Sequence, residues 1–148
     1  MDSKTFLKVI ECTPLVSVDL IFKNSSGQVL LGLRTNSPAR GFWFVPGGRI
    51  HKNETLADAI SRISMIELNI DNSIQEGKLL GAYDHIYTDN FRNTPGINTH
   101  YIALGYEFIL SSNQIVKSDS QHSELNWWDI DQLMNSGSVH HNTKAYFL

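Results

Sequence analysis

The residues whose types and spacing could do chemistry lie in one stretch, Gly47-Gly48-Arg49-Ile50-His51-Lys52-Asn53-Glu54, followed by Arg62 and Glu67. Two glycines after a bulky apolar run let the backbone approach a ligand closely, because no Cβ stands in the way. Glu54 precedes Arg62 by eight residues, about two helical turns, so an ion pair between them would brace the loop against a helix. Glu67 follows Arg62 by five residues and lies on a different face of that helix. Taken singly, a Gly-Gly pair is an ordinary turn and each charge an ordinary solvated helix residue. The chain also holds six histidines, whose imidazoles can accept a proton near neutral pH. Spacing alone does not single one of them out.

These groups need elements to position them. Leu15 to Phe22 is apolar and rich in β-branched residues and reads as a buried strand; Asn24-Ser25-Ser26-Gly27 is a turn signal, and Gln28 to Arg34 returns as a second strand, forming a hairpin. Phe42-Trp43-Phe44-Val45 is short, bulky and core-like, and Pro46-Gly47-Gly48 stops it. The clearest helix is Thr55 to Leu68, where Leu56, Ala59, Ile60, Ile63 and Ile66 recur at helical spacing. Thr55 with Asp58 resembles a capping box, and Asn69 suits a left-handed helix end. Phe6, Leu7, Val9 and Ile10 form one side of a short helix ending before Pro14. Lys78 to Thr88, Thr99 to Leu110 and Glu124 to Trp128 read as strands, and Asp129 to Met134 as a short helix. Trp127 and Trp128 are adjacent, so one would face inwards and the other outwards. His140 and His141 read as surface or dimer-contact residues. The expected class is α+β, a mixed sheet with the long helix packed on one face.

The combination of loop and helix residues resembles the Nudix hydrolases. Their signature is a glycine, five residues, a glutamate, seven residues, then Arg-Glu-(apolar)-any-Glu-Glu-any-Gly. Gly48, Glu54, Arg62 and Glu67 stand at those positions, whereas Ile63 and Ile66 replace glutamates and Asn69 replaces the last glycine. Positions 63, 66 and 67 are three and four apart and so share a helix face. In an ordinary Nudix enzyme that face presents several carboxylates, able to hold more than one Mg²⁺. With Glu67 alone, other oxygen ligands must complete the octahedron, and the base must come from elsewhere. The same departures define a narrower resemblance, to the GDP-mannose mannosyl hydrolases (GDP-mannose glycohydrolases), a divergent Nudix branch. It runs through Thr13-Pro14-Leu15-Val16-Ser17, Leu31-Gly32, Arg34-Thr35-Asn36, Trp43 to Arg49, Glu54-Thr55-Leu56, Asp89-Asn90-Phe91, Thr99-His100-Tyr101, Gln121-His122 and Ala145-Tyr146-Phe147.

The resemblance implies one Nudix domain over residues 1–148. It implies one Mg²⁺ per subunit, replaceable by Mn²⁺, held by the Gly47 carbonyl, Glu67, Gln121 and the substrate's diphosphate. In that branch water attacks the anomeric carbon with inversion, releasing GDP and free mannose; GDP-glucose is a second candidate substrate. His122 matches the base, with His85 as runner-up. Arg34 matches a group that stabilises the departing diphosphate, Arg49 adds to it, and Tyr101 donates a hydrogen bond there. Asp19 and His85 match polar positions near the sugar, and Phe6 a residue that contacts the nucleotide. A homodimer, with exchanged N-terminal segments, is the implied assembly. Two other functions compete: ordinary diphosphate cleavage of a nucleoside-diphosphate sugar, and a non-catalytic sugar-nucleotide-binding module. Any C-terminal helix after Tyr146-Phe147 would be short or absent.

Composition bounds these readings. The net charge of −3 provides no broad electropositive surface for nucleic acid. The single cysteine, Cys12, excludes an internal disulfide and fits a reducing, cytoplasmic compartment. No stretch has the length of a membrane span, and the first residues lack the apolar run of a signal peptide.

Overall fold

The computed structural model describes residues 1–110 and 122–148, with the side chains of Ile74, His122 and Ser123 outside that description. The chain opens with α1 (Ser3–Cys12), capped by the Asp2 carboxylate, which accepts from the Thr5 amide at 2.7 Å. β1 (Leu15–Lys23) and β2 (Val29–Arg34) follow. The turn between them is built by Asn24, whose Oδ1 accepts from the amides of Ser26 and Gln28. Gly27 takes a φ of 78°, which favours a residue without Cβ.

The expected hairpin pairs only where it begins, Lys23 opposite Val29. Beyond that point β1 takes other neighbours. Along one edge it pairs in parallel with β6 (Thr99–Ile109) over its whole length, Leu15 opposite Tyr101 to Lys23 opposite Ile109. Along the other edge the place vacated by β2 is filled by β4 (Gly47–Arg49), antiparallel, with Asp19 opposite Gly47. β2 diverges to pair with β3 (Trp43–Phe44) on one side and β7 (His122–Trp128) on the other. β5 (Lys78–Tyr87) lies antiparallel along the far edge of β6. The result is one mixed sheet, ordered β3-β2-β1-β6-β5, with β4 and β7 attached to β1 and β2.

α2 (Leu56–Leu68) packs across β1 and β4. The Thr55 hydroxyl accepts from the Asp58 amide at 3.1 Å, and Asn69 closes the helix in the left-handed region, as its type predicts. Under α2 lies one apolar core, from Val18, Leu20, Phe22, Leu30, Ala59, Ile60, Ile63, Leu68, Tyr106 and Phe108. The opposite face carries a second core of Ile21, Val29, Leu31, Val45, Leu133, Val139 and Tyr146. It is closed by α3 (Ile130–Asn135), α4 (His141–Lys144) and a C-terminal 3₁₀ turn over Ala145–Phe147. Each fully buried Leu, Ile or Phe contributes about 1.5–3 kcal/mol.

Two covered faces explain several departures from the sequence reading. Trp127 packs on the first core and Trp128 on the second, so neither faces outwards. His140 is a buried residue and not a surface one: its ring stacks on Phe44 at 4.7 Å, and its Nδ1 accepts from the Asn142 amide at the start of α4. Phe42 is 38 % exposed, whereas Phe44 beside it is buried. On α2, Ile63 and Glu67 are buried but Ile66 is 53 % exposed, so these positions divide between two environments. A one-turn spacing keeps 63 and 67 aligned, while 66 rotates toward solvent. Among the described residues, no helix is long and apolar enough to cross a membrane.

Candidate active site

Side chains alternate along strands, and the register of three adjacent strands gathers one face. Ser17 and Asp19 of β1, Tyr101 of β6, and His85 and Tyr87 of β5 line the same cavity, with Tyr101 directly opposite His85. The cavity, about 300 Å³, is completed by Arg34 from the end of β2, Phe44 of β3, Gly47, Gly48 and Arg49 of β4, and Phe6 of α1. Seven of the residues marked in the sequence, Phe6, Asp19, Arg34, Gly47, Arg49, His85 and Tyr101, therefore share one space. Glu67 is not among the cavity's walls. It lies one turn beyond Ile63 on the buried stripe of α2, and its charge acts on Arg34. Gln121 lies outside the described residues. His122 opens β7, where its backbone stands opposite Arg34.

The glycine loop is held rigidly. Arg62 donates to both oxygens of Glu54, at 2.6 and 2.9 Å, and its other contact is the Arg49 carbonyl at 3.0 Å. Glu54 Oε1 also accepts from the His51 amide at 3.0 Å. These bonds hold the Glu54 carboxyl down at about 2, the Arg62 hydrogen bonds first among the causes. The ion pair suggested by the eight-residue spacing thus ties the loop to α2 at both ends. A Cβ at Gly47 would lie 2.5 Å from Asp19 Oδ1 and 2.6 Å from the Val18 carbonyl oxygen, so only glycine fits. A Cβ at Gly48 would meet the Ile63 side chain at 3.3 Å. Backbone, acid and helix are packed without slack here.

Charge within the cavity is divided. Arg34 donates through Nε to the Pro38 carbonyl at 2.9 Å, and its guanidinium lies 5.8 Å from the centre of the Phe44 ring. Burial pulls its pKa below the usual arginine value, although Tyr87, Tyr101, Asp19 and Glu67 oppose that pull. Arg49 lies 4.4 Å over the Phe6 ring, which in turn meets Phe91 at 5.2 Å. Burial raises the Asp19 carboxyl to about 6, against the Tyr146 hydrogen bond and the charge of Arg34. Burial likewise holds His85 down at about 4. The approach of His85 Nδ1 to Asp19 Oδ2, 3.9 Å, is therefore a contact with a neutral ring and not an ion pair. His85 Nε2 is buried with no hydrogen-bond partner among the described residues.

A hard dication takes oxygen donors. Among the described residues, no three His, Cys, Asp or Glu side chains gather into a ligand set. Beside the cavity lie a buried carboxylate, Glu67, on a helix packed against β4, and the backbone of Gly47, which carries no side chain of its own and has Asp19 Oδ1 against it. That donor set fits a magnesium ion whose remaining ligands are substrate oxygens, water or a further side chain.

The sequence reading gives no site role to the cavity residues Ser17, Ser37, Pro38, Tyr87 and Phe91, nor to Tyr146, which is hydrogen-bonded to the cavity's Asp19. Period-two alternation from Asp19 and His85 leads to Ser17 and Tyr87. Phe91 is presented by a loop knotted around Asn90, fully buried, whose side chain donates to the carbonyls of Thr94 and Ile97 and accepts from the amides of Arg92 and Thr94. Only the tertiary fold brings Tyr146 to Asp19.

Comparison with known proteins agrees with this architecture. The NUDIX domain pattern matches residues 13–147. The chain is similar to the low-salt glycan biosynthesis protein Agl8 of Haloferax volcanii, with 44% identity over 118 residues, covering 79% of this chain and 72% of that protein. Among solved structures, a MutT protein from Methanosarcina mazei superposes with a TM-score of 0.73 at 20% identity, covering 92% of both chains. The NUDIX domain of Shewanella oneidensis NrtR, solved with ADP ribose, superposes with a TM-score of 0.67 at 19% identity, covering 99% of this chain and 97% of that one. A helix braced to a glycine loop by Glu54 and Arg62, set on a mixed sheet, thus has a family: the chain belongs to the Nudix hydrolases.

Proposed function

We propose that the protein hydrolyses a nucleoside-diphosphate sugar, GDP-mannose or GDP-glucose, at the anomeric carbon, releasing GDP and the free sugar with inversion. The observation that carries this reading is the pairing of two features in one site. The cavity joins two arginines, suited to a diphosphate, with buried polar groups suited to a sugar. The helix that supplies carboxylates in other Nudix enzymes has isoleucine at 63 and 66. Attack at phosphorus would need those carboxylates; attack at carbon needs a base beside the sugar. The likeness to a glycan biosynthesis protein supports a sugar-nucleotide substrate.

Nudix hydrolases use a divalent cation such as Mg²⁺ or Mn²⁺, which neutralises diphosphate charge when bound. Gly47, Glu67 and Gln121 are the residues proposed to hold one ion per subunit. Arg34, with Arg49 and Tyr101 beside it, stabilises charge that grows on the departing diphosphate, which lowers the barrier because the interaction strengthens in the transition state. His122 takes the proton of the attacking water. His85, neutral at working pH, orients a sugar hydroxyl together with Asp19, and Phe6 flanks the nucleotide. One domain carries these roles, in a cytoplasmic homodimer.

Hydrolysis of GDP-mannose in ¹⁸O-labelled water with Mg²⁺ tests the reading. Label in the sugar is the expected result. Label in a phosphate would mean ordinary diphosphate cleavage, and binding without product over long incubation would mean a sensor module. Replacing His122 by Gln should remove most turnover while Mg²⁺-GDP still binds; near-parental turnover would strip His122 of its role.

A further inference from the structure

Asp19 occupies an unusual row of the sheet. Its neighbours across the strands are Gly47 on β4 and Gly105 on β6, and Gly105 is in turn opposite Gly81 on β5. Three side-chain-free positions leave a slot beside the carboxylate. The slot is filled from the C-terminus: the Tyr146 ring lies over Gly105, where any Cβ would collide with it, and meets the Tyr83 ring edge-on at 4.6 Å. From there Tyr146 donates its hydroxyl hydrogen to Asp19 Oδ2 at 2.6 Å, in a bond between two buried groups. Asp19 Oδ1 lies against Gly47. Together these contacts pin the carboxylate between β4 and the C-terminal turn, so that it cannot rotate freely in the cavity.

The chemistry of the cavity limits what a pinned acid could meet there. A diphosphate is attracted to Arg34 and Arg49 and repelled by a carboxylate. The uncharged, hydroxyl-bearing part of a bound ligand is the part that Asp19 can accept, as a hydrogen-bond donor. We propose that Tyr146 is a positioning residue: by holding Asp19 in one orientation, it makes the C-terminal turn a determinant of sugar recognition. This rests on the sugar-nucleotide reading above and adds to it a residue 127 positions from its partner in sequence.

Tyr146→Phe keeps the ring over Gly105 and removes only the hydroxyl. Binding of GDP, which lacks the sugar, should be unchanged, while KM for GDP-mannose rises roughly three- to tenfold, as expected for one lost hydrogen bond to a buried carboxylate. In an Asp19→Asn background the same substitution should have no further effect, because its action runs through the carboxylate. Equal weakening of GDP and GDP-mannose, additive effects in the double variant, or a Tyr146→Phe protein that matches the parent would each overturn the proposal. Should the parent protein release no GDP, the hydrolase reading fails, and titration of GDP-mannose against GDP on the same variants still decides the role of Tyr146.

Discussion

Arg34 shows how much a single side chain depends on its fork of donors. Its Nε donates to the Pro38 carbonyl at 2.9 Å and one terminal nitrogen to the Asn36 carbonyl at 3.4 Å, so the fork is anchored to its own loop while its charge faces the cavity. Lysine has one donor group and no such division of labour. We expect Arg34→Lys to fold normally and to lose about 10²-fold in kcat/KM for the sugar nucleotide, measured by steady-state GDP release. A variant within a factor of a few of the parent would show that charge alone suffices there. Glycine at 47 is equally demanding in the opposite sense. Substitution by alanine drives a methyl group into the Val18 carbonyl and the Asp19 carboxylate, so loss of nucleotide binding should accompany any loss of stability.

At the scale of elements, two loops are built by a single polar residue each. The Glu54 carboxylate joins the 49–54 segment to α2 through Arg62. Removing its charge in Glu54→Gln should cost about 1–2 kcal/mol of stability by thermal or urea unfolding, and more in Mg²⁺-nucleotide affinity than that loss explains, because the glycine backbone loses its anchor. Asn90 stands at the centre of the β5–β6 loop with every polar atom of its side chain engaged. Asn90→Ala should cost about 2–4 kcal/mol and release Phe91 from its place beside Phe6, which a denaturation curve and a nucleotide titration would report separately. The brace between Glu54 and Arg62 was legible in their spacing along the sequence. The Asn90 knot was not, since its partners are backbone groups, which leave no trace in residue types.

The molecule as a whole carries its pH response in buried rings. His85 and His140 are held neutral by burial down to about 4, against an unfolded value near 6.5. Between about 6.5 and 4 the unfolded chain takes up protons that these folded rings refuse, so stability falls as pH falls through that window. Asp19 opposes them: its folded pKa of about 6 means the folded state gains a proton first as pH drops, favouring the fold on acidification. Two histidines against one acid leave a net loss toward low pH. Urea unfolding from pH 4 to 7 should therefore show a midpoint rising with pH, and His140→Gln should flatten that rise. An unchanged slope would show that His140 opens to water before the chain unfolds.

Residue types and short-range spacing determined the elements of this protein. Apolar, β-branched composition marks β1 and helical periodicity marks α2; Thr55 and Asn69 mark the ends of α2; and the Gly48–Glu54–Arg62–Glu67 interval marks the loop and its brace. These depend on interactions within a few turns of one segment, which local sequence encodes directly. What the tertiary structure alone decided is which strands become neighbours. The parallel pairing of β1 with β6 and the insertion of β4 beside β1 put Asp19, Tyr101 and His85 on one wall. The covering of both sheet faces turned His140, Trp127 and Trp128 inwards, and Gly105 opened the space that the Tyr146 ring fills. Those outcomes come from packing between segments far apart in the chain, where the free energy depends on shape and burial that no local pattern contains.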